Sequence, residues 1–196
     1  MQVLEIGTTS DVDLADSNYF ARQARRCGYD VTVTSPEDCR AMAKRFGLHW
    51  IAFPDLERAL VQRGGFDLVI SSAVVEHLGP GDAPKREHLA LLRRASRRYA
   101  AITTPNRGHW LEFHTRVPLL HWLPKEVHRL LLRALGLRAW ADPSHLDLLT
   151  ATQFGRLLRQ AFPTDRIHMT KLWFLGMPSH LMAIVRLENS NGPWAR

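Results

Sequence analysis

The chain has only two cysteines in 196 residues, Cys27 and Cys39. That is too few for a disulfide framework, and no Cys/His spacing has the form of a zinc site, so reduced structural thiols are expected. Long apolar runs are absent: none approaches the ~20 residues that a membrane span needs. The N-terminus lacks the basic-then-apolar order of a signal peptide, which points to a cytoplasmic protein that is at most peripheral to a membrane. Internal repeats and low-complexity segments are missing too. A G-x-G-x-x-G loop is not present, and its absence counts against a nicotinamide dehydrogenase.

What is present is one domain's worth of chain with a regular rhythm. The length suits a single α/β domain with a full core. Lys and Arg outnumber Asp and Glu by 26 to 19, a net charge of +7. That balance is compatible with an anionic partner and is also common in proteins that bind none. Strand and helix signals alternate, which argues for a mostly parallel sheet covered on both faces. Strands are expected at Val3 to Ile6, Asp30 to Thr34, His49 to Phe53, Asp67 to Ser71 and Tyr99 to Thr103. Helices are expected from Asn18 to Cys27 behind Asp16-Ser17 as caps, from Ser35-Pro36-Glu37 onward, and over Leu56 to Gln62. Further helices are expected over Lys85 to Arg98, Lys125 to Leu135, and after Thr150 to Ala161. In the Lys85 to Arg98 helix, Leu89, Leu92 and Ala95 should face the sheet, with Arg93, Arg94, Arg97 and Arg98 on the far side. Arg166 to Leu175 and His180 to Leu187 read as a hairpin joined through Gly176 to Ser179.

Two motifs carry the chemistry. Val3-Leu4-Glu5-Ile6-Gly7 is an apolar strand that ends in an acid and a glycine and runs into a polar loop, the way a nucleotide-type cofactor site opens. Phe66-Asp67-Leu68-Val69-Ile70-Ser71-Ser72 is a second buried strand with a polar end, and Glu76-His77-Leu78 lies just beyond it. Together they resemble the class I S-adenosylmethionine-dependent methyltransferases. Thr104-Pro105-Asn106-Arg107, the Glu112-Phe113-His114-Thr115 run and His121-Trp122-Leu123-Pro124 are similar to a type 11-like bacterial subgroup of them. The resemblance implies an α/β, Rossmann-like doubly wound sheet of strand order 3-2-1-4-5-7-6, mostly parallel, with an antiparallel C-terminal hairpin strand. It implies one domain over 1–188, a loose tail over 189–196, and 105–148 as an insertion covering the acceptor side. With the first strand starting at Met1 or Gln2, the helix that usually precedes it is not expected within these residues, either because the domain is minimal or because the start site is misplaced.

The resemblance also assigns a site for S-adenosyl-L-methionine. Glu5 and Gly7 match the first motif, and Thr8 and Thr9 follow where a glycine-rich run is usual. Glu37 is the acid nearest the place where the ribose diol is held, its alternative being a first-turn acid stabilised by the helix dipole. Asp55 matches an adenine-side position and is equally readable as an N-cap. Ser71 and Ser72 end the fourth strand where methyl donor and acceptor should meet. His77 is the candidate general base, and His114 the histidine of the next segment expected to face substrate. Glu76-His77 also matches the end of the Glu-x-x-Glu-His pattern that binds a divalent metal in some relatives, but Ala73 stands where the first acid would be, so no metal is expected. A purely structural role for Glu76-His77, capping a helix, remains open beside these.

The segment after the fifth strand is the most individual. Pro118, Pro124 and Pro143 interrupt any single long helix here; His114, His121 and His128 recur every seven residues with the first two of these prolines between them, which argues against a metal triad. Over 117–138 a Leu- and Trp-rich stretch carries Lys125, Arg129, Arg133 and Arg138. It can lie on an anionic bilayer or cover a greasy substrate, and a helix packed on the sheet is the commoner outcome. The expected activity is methyl transfer to a small-molecule, saccharide or lipid-linked acceptor. An accessory protein that keeps the fold without catalysis is the alternative from another class, and RNA methylation, prompted by the arginines at 93–98, is a third. With no appended RNA-binding module and no Asn-Pro-Pro-Tyr-type motif at the fourth strand, nucleic acid is not the expected partner.

Overall fold

A computed structural model describes residues 1–142 and 144–188. The expected tail at 189–196, and Pro143 among the prolines expected to interrupt a long helix, lie outside them. Seven strands form one sheet in the order β3-β2-β1-β4-β5-β7-β6. They are β1 (Gln2–Ile6), β2 (Asp30–Ser35), β3 (His49–Ala52), β4 (Phe66–Ser72), β5 (Ser96–Pro105), β6 (Arg166–Phe174) and β7 (Met177–Arg186). The first five run parallel, and β7 enters antiparallel between β5 and β6. The six α-helices are α1 (Tyr19–Arg26), α2 (Arg40–Phe46), α3 (Leu56–Arg63), α4 (Ala83–Ala95), α5 (Lys125–Ala134) and α6 (Ala151–Ala161).

Two apolar layers hold the sheet. On one face Ala21 of α1 and Met42 and Ala43 of α2 pack on Val3, Val31 and Val33. On the other, Leu60 of α3, Leu89 and Leu92 of α4 and Phe154 of α6 pack on Leu4, Val69 and Ile102. The period-2 alternation of side chains sends neighbours in β1 to opposite layers. The chain thus leaves β1 toward one face and β4 toward the other, and because these strands are adjacent, a crevice opens between their carboxyl ends.

Three local expectations are corrected. The helix expected to reach Arg98 stops at Ala95, and Arg97 and Arg98 belong to β5. Arg97 is drawn back to the sheet edge, where it donates to the Gly64 carbonyl (2.7 Å) and to Gln2 (3.1 Å). The second helix begins at Arg40, with 36–39 as loop, and Glu37 is therefore not a first-turn residue. The hairpin closes through Leu175 and Gly176, at φ +47° and +80°. Two consecutive positive φ values make the tight turn that matches strand twist.

The cap of α1 has a distant source. Neither Asp16 nor Ser17 supplies it; the amide of Ala21 in the first turn donates to Glu5 Oε2 (2.7 Å). The acid of the first motif thereby ties the strand to the helix that follows it, satisfying one of the amides that a helix start leaves free. α6 does start as expected, with Thr150 and Gln153 forming a reciprocal capping box.

Candidate functional site

The crevice between β1 and β4 is lined first by the loop after Gly7. Asn18, in left-handed backbone at φ +54°, shapes it: its side chain accepts from the Thr9 amide (2.9 Å) and donates to the Thr9 carbonyl (3.0 Å). Ser10 donates its amide to Glu37 Oε2 (3.2 Å), so the acid beyond β2 reaches across to the first loop. Glu37 and Thr9 are exposed, whereas Thr8 is buried with its hydroxyl unpartnered. Glu5 is 4 % exposed. Burial pushes its carboxyl up to about 7, against the opposing pull of the Ala21 amide. Gly7 has φ +91°, and a β-carbon there would lie 2.3 Å from Cγ2 of Val74. The missing side chain is thus a requirement of packing as well as of backbone conformation.

β4 contributes less directly than its sequence suggests. The Ser71 hydroxyl is buried against His88 Nε2 (2.8 Å) of α4, and burial lowers the His88 pKa to about 4. Ser72 bonds Thr103 of β5 (3.0 Å). Asp55 does not cap α3 with its side chain; it pairs with Arg58 at the surface. Ala73 then turns the chain at φ +53°, a conformation that costs a residue with a β-carbon energy and that recurs at functional sites. The turn brings Val74 over Gly7 and folds Glu76 back into the protein.

Glu76 is fully buried. Thr104 of β5 donates to its Oε2 (2.9 Å), and its Oε1 has no partner. Burial pushes this carboxyl upward. His77 Nε2 lies 3.9 Å from Oε1, and His77 Nδ1 donates to the His145 carbonyl (2.6 Å). His114 approaches from the segment after β5, its ring 5.0 Å from that of His77 and edge-on to it. His114 Nδ1 bonds Glu112 (2.7 Å). Burial pushes the Glu112 carboxyl up, and the hydrogen bonds from the side chains and amides of His114 and Thr115 overcome it, leaving it at about 2. The two histidines chosen from sequence thus meet in space across 36 intervening positions, each oriented by an acceptor on one ring nitrogen with the other left free.

Comparison with solved structures decides the fold. An O-methyltransferase family protein from Burkholderia thailandensis superposes with a TM-score of 0.60 at 13% identity, over 94% of this chain and 50% of that one. The chain has the fold of the class I S-adenosylmethionine-dependent methyltransferases. A SAM-dependent methyltransferase from Archaeoglobus fulgidus gives 0.56 at 16% identity, covering 94% of this chain and 85% of that one. The 1,6-didemethyltoxoflavin-N1-methyltransferase of Burkholderia thailandensis, solved with bound 1,6-didemethyltoxoflavin and S-adenosylhomocysteine, gives 0.55 at 16%, covering 96% and 71%. This chain spans half the length of the first of these. No family model and no curated protein matches its sequence.

Around this methyltransferase fold, sequence reasoning missed the network that fixes the acceptor side. Lys85 of α4 is fully buried and donates to Asp147 Oδ2 (2.9 Å), to the Gly81 carbonyl (2.9 Å) and to the Gly79 carbonyl (2.5 Å). Lys125 pairs with the other Asp147 oxygen, and the Asp147 amide donates to the Glu76 carbonyl (2.7 Å). Beside it lies a shallow, solvent-open cleft lined by Arg107, Lys125, His128, Arg129, Trp140 and Asp147. Nothing in the spacing of Lys85 and Asp147 marks them as partners. α5 also departs from expectation: Leu130 (64 % exposed) and Leu135 (59 %) face solvent, and of its residues Leu132 alone is buried. Among the described residues no helix is long and apolar enough to cross a membrane.

Proposed function

We propose that this chain, acting in the cytoplasm, transfers the methyl group of S-adenosyl-L-methionine to a hydroxyl of a small, anionic, saccharide or lipid-linked acceptor. The observation that carries the reading is the convergence of His77 and His114, each with a free ring nitrogen, at the end of β4 across the crevice from the first loop. The residues fit the cofactor. Glu37 is exposed, held by the Ser10 amide, and chemically suited to a ribose diol. The turn after Gly7 supplies the amino-acid end, with Thr9 exposed to it and Glu5 and Thr8 shaping the loop from beneath. Asp55 lies on the adenine side, and Ser71 and Ser72 set the floor at β4. The cofactor supplies an electrophilic methyl group, the protein supplies alignment, and an oxygen acceptor needs its proton removed, which is the task of His77 and His114.

The acceptor class rests on the segment 105–148, which we read as the cover of the acceptor side within a single domain over 1–188. Its cleft carries Arg107, Lys125 and Arg129 against one acid, Asp147, which suits a phosphorylated or otherwise anionic group. Trp122, Val127, Leu130 and Leu135 stand exposed beside Arg133 and Arg138, the composition of a surface that meets an anionic bilayer or a lipid tail. One observation favours the accessory alternative, namely Val74 lying over Gly7 where a ligand would approach. Calorimetric titration with S-adenosylhomocysteine separates the two. One-site saturable binding that is lost in Glu37→Ala, a change at an exposed side chain, supports the enzyme. No binding by the folded chain supports the accessory protein.

A further inference from the structure

Glu76, His77 and His114 come together at the end of β4. His77 Nδ1 faces a backbone carbonyl and therefore carries the hydrogen, which leaves a lone pair on Nε2. His114 Nδ1 faces the Glu112 carboxylate, leaving Nε2 in the same state. The third acceptor is Glu76 Oε1, fully buried and without a partner. One ligand atom from each of these residues lies within 4.8 Å of the others. Acceptor atoms crowded in a partly desolvated place repel, and a buried carboxylate oxygen left without a partner is costly. A positive charge placed among them removes both penalties.

We infer that Glu76, His77 and His114 form a binding site for a divalent transition cation. The second ring nitrogen of each histidine is held by a carbonyl or a carboxylate, the arrangement that fixes tautomer and ring direction in metal sites. Two imidazoles and one carboxylate select Zn²⁺, Co²⁺ or Mn²⁺ over Mg²⁺ and Ca²⁺, which prefer all-oxygen shells. Bonds of about 2.1 Å to one ion require the three side chains to draw closer than the separations of up to 4.8 Å between them here. Three protein ligands leave coordination positions open, as in catalytic rather than structural sites. Sequence spacing argues against a metal because Ala73 stands where another acid would. The fold supplies the third donor from His114 instead.

The catalytic consequence rests on the proposed methyl transfer, but the binding itself does not. A cation held by Glu76, His77 and His114 would engage the two histidines as ligands and would supply Lewis acidity to an acceptor hydroxyl, easing loss of its proton to water before methyl transfer.

The test is titration of the tag-free, chelator-treated chain with Co²⁺, followed by calorimetry and by the visible absorption of the ion. One Co²⁺ per chain is expected, with affinity lost in His77→Ala and in His114→Ala. Glu112→Gln, which alters the group that holds the far nitrogen of His114 and accepts from the His114 and Thr115 amides, should weaken binding about 10–100-fold. His49→Ala, outside the cluster, should leave it unchanged. No saturable binding, or binding indifferent to both histidines, overturns the site and leaves the converging lone pairs to a proton. Titration with S-adenosylhomocysteine on the same samples keeps the two readings apart. Cofactor binding without Co²⁺ binding defeats the metal site alone, and Co²⁺ binding without cofactor binding defeats the methyltransferase reading and leaves the metal site standing.

Discussion

Gly7→Ala tests the turn on which the candidate cofactor loop depends. Two costs can be worked from the structure. The backbone at φ +91° is outside the regions open to a residue with a β-carbon, which costs roughly 1–3 kcal/mol. The new β-carbon would also sit 2.3 Å from Val74 Cγ2, and a β-branched side chain with one preferred rotamer does not swing aside freely. Overpacking of this kind costs about 1–3 kcal/mol more. The sum is roughly 2–6 kcal/mol of unfolding free energy in urea titration. Val74→Ala isolates the second cost, because with both γ-carbons gone the nearest Val74 atom to the added carbon is Cβ at 3.5 Å, an ordinary contact. The double variant should therefore be more stable than the sum of the single changes by about 1–3 kcal/mol. Additivity within about 0.5 kcal/mol would refute the packing argument. A Gly7→Ala chain as stable as the parent would refute the backbone argument as well.

Two buried groups should give opposite pH slopes. Glu5 is pushed from 4.5 to about 7 by burial, so between those values the folded chain holds a proton that the unfolded chain has lost, and stability falls as pH rises. His88 is pushed by burial from 6.5 to about 4, so in that window the unfolded chain holds the extra proton and stability rises with pH. Each displacement corresponds to about 3 kcal/mol, so the two largely cancel between pH 4.5 and 6.5. Urea unfolding at pH 5 and pH 6.5 should show stability rising with pH in Glu5→Gln and falling in His88→Gln; a Glu5→Gln profile parallel to the parent defeats the assignment. Asp147→Asn leaves the buried Lys85 ammonium without its counter-ion and should cost about 3–5 kcal/mol, a fall of roughly 10 °C in calorimetric Tm. Lys125→Ala, removing a partly exposed partner, should cost far less, and equal losses would show that burial of Lys85 is not the cause.

Much of the fold follows from local pattern. Alternating strand and helix signals, the apolar Val3 to Ile6 and Asp67 to Ser71 runs and the Thr150 capping box need only nearest neighbours, and the order of the seven strands came from the resemblance carried by the two motifs. Boundaries were lost where a distant contact outweighed propensity. Arg97 is a good helix former, yet the sheet edge at Gly64 and Gln2 claims it. α5 is amphipathic by sequence, but other helices already cover both faces of the sheet, and its apolar stripe faces outward.

The candidate site divides along the same line. By itself the sequence determined which residue types stand at the strand ends, since Glu5, Gly7, Glu37, Ser72 and His77 follow strands at fixed short distances and a parallel sheet puts those ends on one edge. Only the tertiary structure decided what those residues face. It turned Ser71 inward to His88, gave Glu5 to the amide of Ala21, set Val74 over Gly7, and brought His114 to Glu76 and His77 from a loop. The physical reason is that residue type and spacing along the chain fix an element, whereas a side chain's partner is set by packing between elements far apart in sequence, where one residue's shift in register or one positive φ at Ala73 redirects every contact that follows.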